Sequence, residues 1–344
     1  EEGAAIELSM TSGNEMAIIV GAGQAALPSA AGAAPGGRGG ANAYAMTAPK
    51  SIPQVTVSIE HYNRLVRMAQ QNVPITMEAD LQVQYVTEDP NAYNTIAEIP
   101  GTDLKDEIVM LGAHIDSWHM GDGATDNGTG VAECMEAVRI IKGLGIKPRR
   151  TIRVGLWSGE EEGLLGSRAY VRQHFGALPG NLIGSRGGRG GGGRGGAETE
   201  PAAASAPATT SAPATRVGLL PDAAKFSCYF NTDEGGGRFR GVYASDNSAA
   251  AEIMRQYLAP VKDLGPSVVS PGHATGSDHQ SFESAGLPAF QFMPDPIDYW
   301  AGTWHTSQDL YDHVVPDDIK AASVVMATCV YQAAMADEKM PRRQ

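Results

Sequence analysis

Two short apolar runs, Ile108 to Ala113 and Thr151 to Trp157, each stop at a cluster of ligand-type side chains, with a helical stretch between them. The first run lacks polar alternation, the pattern of a strand buried on both faces in a parallel sheet. His114 and Asp116 follow it directly, and Glu160, Glu161 and Glu162 follow the second run. In between, Val131, Met135, Val138 and Ile141 recur at helical spacing, with Gly143 and Gly145 marking the stop. This order predicts an open α/β sheet, in which ligands bind in the crevice beyond the carboxyl ends of the strands.

Imidazole and carboxylate together form a ligand set for zinc and similar divalent ions, and a catalytic site keeps one position open for water. Asp116, two residues after His114, is placed to accept a hydrogen bond from the imidazole nitrogen that does not face the metal. Without cations, Asp116, Asp122, Asp126, Glu160, Glu161 and Glu162 would repel one another. Each half taken alone reads equally well as a solvated acidic loop with one surface histidine.

The motif order widens the argument. His114-Ile-Asp116 is followed by Asp126 within GATDNGTG, Glu160-Glu161 after LWSG, Asp233 within YFNTDEG, and His305 within WHTSQD. This succession resembles the zinc aminopeptidase family that also contains glutamate carboxypeptidase and carboxypeptidase Q. The resemblance runs from about Asn94 to the end, and HIDSW, GLGIKPRRT and LWSGEE bring it nearest to the carboxypeptidase Q branch and its bacterial relatives. It implies a three-layer α/β/α sandwich around a mostly parallel mixed sheet, carrying a partial protease-associated lid domain at the N-terminus.

With 344 residues the chain can hold one large core or two domains. Its net charge of -13 argues against nucleic acid as a partner. No run approaches eighteen apolar residues, so no membrane span is expected. The three cysteines, Cys134, Cys228 and Cys329, lie in apolar patterns and read as buried thiols. The chain begins with Glu and shows no signal peptide, which suggests a mature or trimmed form; a secreted or periplasmic location is the family expectation.

Residues 14–23, NEMAIIVGAG, imitate the strand and turn of a dinucleotide site. Pro28, Pro35 and many glycines follow where a helix should, and no acidic residue stands about twenty positions on, which excludes that reading. From Ser51 the chain reads as strand, Ser58 as a helix N-cap, an amphipathic helix, and then an alternating strand, ITMEADLQVQYVTE. Residues 1–85 are therefore expected to be a lid remnant with a low-complexity loop at 24–48, and 86–344 the catalytic domain. Residues 182–216, Gly/Arg-rich and then Ala/Pro-rich, are expected to form a disordered insertion.

Farther on, Phe226 to Asn231 reads as a strand with Asp233 beyond its end, followed by a helix near Ser248 to Leu258 and a short strand at Val268. Asp278 suits an N-cap for a helix carrying His279 and Phe282, and Ala289 to Met293 is another strand. His279 either faces the substrate or is a polar surface residue. The last helix opens at Pro316 and runs to about Ala336, largely apolar.

By resemblance, two zinc ions about 3.5 to 4 Å apart occupy the site. His114 and Asp233 hold one, Glu161 and His305 the other, and Asp126 bridges them. Glu160 is the general base and Asp116 the orienting carboxylate; Tyr299, His279 and Asp278 are candidates for substrate contacts. The resemblance also implies a cis peptide between Asp126 and Asn127. Short peptides are the expected substrates: dipeptides, or peptides with a free amino terminus. Homodimerisation is left open. Two alternatives remain, a single-zinc acyltransferase like glutaminyl cyclase and a non-catalytic receptor-like domain of the same fold.

Overall fold

The computed structural model describes residues 3–12, 17–21, 24–25, 41–42, 52–84, 88–89, 91–177 and 218–343. The expected insertion at 182–216 and nearly all of the expected loop at 24–48 lie outside these residues.

The N-terminal part is slight. Strand β1 (Glu7–Met10) pairs in parallel with β4 (Gln54–Val57), and β2 (Gln24–Ala25) pairs antiparallel with β3 (Ala41–Asn42). Helix α1 (Ile59–Gln70) packs on β1 and buries none of its residues. Ser58 precedes it as expected, but its side chain makes no capping bond. Residues 75–84, expected as a strand, are exposed and irregular. Alternation alone cannot make a strand; a partner edge must satisfy its amides, and no strand lies beside this segment among the described residues.

The remainder forms one seven-stranded sheet. Its strands are β5 (Thr95–Ile99), β6 (Leu104–His114), β7 (Arg150–Trp157), β8 (Phe226–Asn231), β9 (Phe239–Tyr243), β10 (Val268–Ser270) and β11 (Ala289–Pro294). The order across the sheet is β10-β9-β11-β8-β6-β7-β5. Only the β9–β11 and β5–β7 pairings are antiparallel. Helices α2 (Thr129–Gly143), α4 (Ser248–Leu258) and α6 (Pro316–Met335) cover one face, and α3 (Leu165–His174) and α5 (His279–Ser284) the other.

Strand β6 explains why its sequence lacks alternation. Val109, Leu111 and Ala113 pack into the core beneath α2 and α6, while Ile108 and Met110 pack with Trp157, Phe226 and Phe282 on the other side. Gly112 faces Gly155 across the β6–β7 pair; a Cβ there would sit 2.2 Å from the Gly155 carbonyl oxygen. All three cysteines are free and buried. Among the described residues no helix is long and apolar enough to cross a membrane.

Candidate metal centre

Strands β6, β7 and β8 run parallel, so their carboxyl ends deliver side chains to one crevice. His114 closes β6, Glu160 and Glu161 follow β7, and Asp233 follows β8. Asp126 sits in a tight turn, Ala124–Gly128, that leads into α2. The turn starts at Gly123, whose φ of 64° suits glycine and where a Cβ would meet Ser117 at 2.4 Å. The peptide between Asp126 and Asn127 is cis, as expected. His305 arrives from the loop after the turn Tyr299–Thr303.

Two trios result, His114 with Asp126 and Asp233, and Asp126 with Glu161 and His305; within each, ligand atoms lie within 4.8 Å of one another. Nε2 of His114 is 3.3 Å from Asp126 Oδ1 and 3.5 Å from Asp233 Oδ1. Nε2 of His305 is 3.0 Å from Glu161 Oε2 and 3.5 Å from Asp126 Oδ2. His114 Nε2, Asp126 Oδ2 and Glu161 Oε1 are buried yet make no hydrogen bond. Converging buried acceptors and a lone-pair nitrogen fit a divalent cation, which satisfies them all at once.

Both imidazoles are oriented from behind. His114 Nδ1 bonds the Asp116 main-chain carbonyl at 3.0 Å, and His305 Nδ1 bonds the Val20 carbonyl at 2.9 Å. A carbonyl only accepts, so each Nδ1 carries a proton, and the neutral ring presents its Nε2 lone pair to the centre. The expectation for Asp116 is thereby corrected. Its carboxylate lies 3.7 Å from His114 Nδ1, and its Oδ2 instead accepts the Glu161 N–H at 3.2 Å. The tight turn of the loop brings the backbone oxygen nearer than the side chain.

Burial and charge set the titration. Burial lowers the His114 imidazole, but Asp233, Asp116 and Asp126 outweigh it and hold it well above its usual value. His305 is raised too, the Glu161 and Asp126 carboxylates overcoming burial. Burial pushes Glu160 well above the usual carboxyl range; His114 opposes this and Asp233, Asp278 and Glu161 add to it. Asp278, buried with neither oxygen in a well-formed hydrogen bond, is raised to about 7, chiefly by burial. It precedes α5 but does not cap it. Tyr299 is buried and faces Asp126, Asp233 and Glu161; burial and these carboxylates push its phenol well above its usual value.

His279 is not a surface residue: it is fully buried, and its Nε2 bonds the Ala274 carbonyl at 3.1 Å. Its helix turns the ring inward with Phe282, both residues being buried on α5.

Four further residues belong to the site. Trp118 donates its indole N–H to Glu161 Oε2 at 2.8 Å. Asp309 accepts from the Thr125 N–H at 2.6 Å, the Thr125 hydroxyl at 2.7 Å and the Asp126 N–H at 3.0 Å, clamping the turn that presents Asp126. Glu234, beside Asp233, is raised to about 8 chiefly by burial, with Asp233 and Asp126 adding to the shift. Arg168 on α3 faces Glu160 and Asp278. For Asp309 the signal in the sequence was its place four residues after His305; for Trp118 it was its place within HIDSW.

The family model described as peptidase family M28 matches residues 94–184 and 201–330. Carboxypeptidase Q of Mus musculus is 25% identical over 303 residues, covering 88% of this chain and 54% of that protein. Leupeptin-inactivating enzyme 1 of Streptomyces exfoliatus is 30% identical over 198 residues, 57% of this chain and 34% of its own length. A crystal structure of a peptidase M28 precursor from Shewanella amazonensis has a TM-score of 0.63 at 23% identity, covering 86% of this chain and 56% of that one. That likeness is one of fold. The chain spans about half the length of the curated relatives it matches.

Proposed function

The chain belongs to peptidase family M28, and from that premise we propose that it is a two-zinc exopeptidase, releasing amino-terminal residues from short peptides or splitting dipeptides. What carries the reading is the pair of trios sharing Asp126, each with one correctly protonated imidazole and an acid set suited to zinc. His114, Asp126 and Asp233 would hold one ion and Asp126, Glu161 and His305 the other. Bound there, the ions would lower the pKa of a shared water and polarise the scissile carbonyl.

The chain's own groups do the rest. Glu160 is not in either trio and faces the centre, so its carboxylate accepts the proton lost by the attacking water and returns it to the leaving nitrogen. Burial raises its affinity for a proton, as a group that must take one up and pass it on requires. Tyr299 offers a hydroxyl beside Asp126, close enough to hydrogen-bond a carbonyl oxygen entering there. Glu234 and Asp278 line the same acidic crevice and offer carboxyl oxygens to a substrate ammonium group. Trp300, 48% exposed and packed on Trp304, forms an aromatic flank beside His305 that favours apolar substrate side chains. In this reading residues 1–85 are the lid remnant and 86–344 the catalytic domain.

The test is mass-spectrometric product analysis on dipeptides that are unblocked, N-acetylated or C-amidated, with zinc and with chelator. Zinc-dependent cleavage that tolerates the amide but not the acetyl cap establishes an aminopeptidase; cleavage requiring both free ends establishes a dipeptidase. No cleavage with two equivalents of zinc bound would sink the reading, as would a zinc content of one per chain.

A further inference from the structure

His305 is the ligand least supported by the sheet. It stands in a loop, in the left-handed region with φ of 56°, where a side chain other than glycine needs its surroundings to hold it. The support comes from far upstream. The Val20 carbonyl accepts the His305 Nδ1–H at 2.9 Å, and the Val20 N–H donates back to the His305 carbonyl at 3.0 Å. The neighbouring Ile19 N–H donates to the Thr11 hydroxyl oxygen at 2.9 Å. Thr11 is 2% exposed, and its own N–H donates to the Val57 carbonyl at the end of β4 at 3.0 Å. An unbroken line of hydrogen bonds thus runs from β4 through Thr11 and the segment at Ile19 and Val20 to a metal-type ligand.

We propose that Thr11 is a positioning residue for the metal site formed by Asp126, Glu161 and His305. Its hydroxyl anchors the segment whose Val20 carbonyl fixes the protonation and rotation of the His305 ring. The other trio lacks this dependence: His114 takes its acceptor from Asp116, two residues away in the same loop. The N-terminal part would then be a working component of one metal site and not of the other. The inference rests on the two-zinc reading.

The full chain, stripped by chelator and titrated calorimetrically with zinc against a competing chelator, tests it. Thr11→Val removes the acceptor for Ile19; Thr11→Ser keeps it. The expected result is a first equivalent within about twofold of wild type in Thr11→Val, a second weakened about tenfold, the scale of a lost outer hydrogen bond, and recovery in Thr11→Ser. Equal binding of both equivalents by Thr11→Val would overturn the proposal, as would equal weakening of both or failure of Thr11→Ser to recover. If Thr11→Val does not fold, hydrogen exchange on the wild-type chain decides. The Val20 amide should exchange more slowly once the second equivalent is bound, because linkage is reciprocal, and zinc-independent exchange would overturn the proposal. A wild-type chain that binds a single equivalent is a different outcome: it removes the two-zinc reading itself.

Discussion

Replacing Glu160 by Gln removes a proton acceptor without removing a metal ligand. Turnover in Glu160→Gln should fall by roughly 10²- to 10⁴-fold while zinc content, measured by atomic absorption, stays at the wild-type level; unchanged turnover would exclude Glu160 as the base. Asp309 acts differently, since it touches the centre only through Thr125 and Asp126. Asp309→Ala should weaken zinc by about 10- to 100-fold in a competition titration. The direct ligands were legible because each stands at the end of a recognisable apolar strand or inside a compact motif. Their supports were not. Trp118 meets a carboxylate 43 positions away and His305 a carbonyl 285 positions away, and nothing local in the sequence announces such a pairing. The burial of His279 was not legible for a related reason: a polar residue at the start of a six-residue helix gives no sign of which way it will turn.

Arg150, at the start of β7, ties that strand to the end of α6. It is 1% exposed, pairs with Glu107 at 2.7 Å, and donates to the carbonyls of Ala333 and Ala336, oxygens that a helix end leaves unmatched, and to that of Asp337 just beyond. Arg150→Met should cost about 3 kcal/mol in urea denaturation, the low end for removing one partner of a buried pair, because Glu107 is 25% exposed and can rehydrate. A loss below about 0.5 kcal/mol, the level of an ordinary surface change, would refute the role. Among the elements, β6, β7, β8, α2 and α6 were legible from buried runs and helical spacing. Strand β9 was not anticipated, since FRGVY places an exposed Arg240 inside a short run. The irregular 75–84 segment shows the converse, an alternating pattern without a neighbouring strand to make it one.

Across the whole molecule, the metal-free site holds protons that the unfolded chain would release. Burial raises Glu161 and Asp278 to about 7 and Glu234 to about 8, against about 4 for unfolded carboxyls. At these three groups the folded protein therefore binds more protons than the unfolded chain between about pH 4 and 8, and their contribution to stability falls as pH rises through that window. His114 and His305, held above their usual value, add to the trend: their contribution is complete below about pH 6.5 and lost above it. Asp116 and Asp233, held low against their burial by the nearby His114 imidazole, work the opposite way only near pH 4 and below. Zinc displaces the retained protons. The gap in melting temperature between zinc-loaded and chelator-treated protein should widen from pH 5 to pH 8; a constant gap would contradict the assignment. Three of the four tryptophans stand at this site: Trp118 bonded to Glu161, Trp304 stacked on the His305 ring at 4.0 Å, and Trp300 packed on Trp304. The protein thus carries a built-in optical gauge, whose ultraviolet emission should report the filling of the Glu161 and His305 side without any added dye.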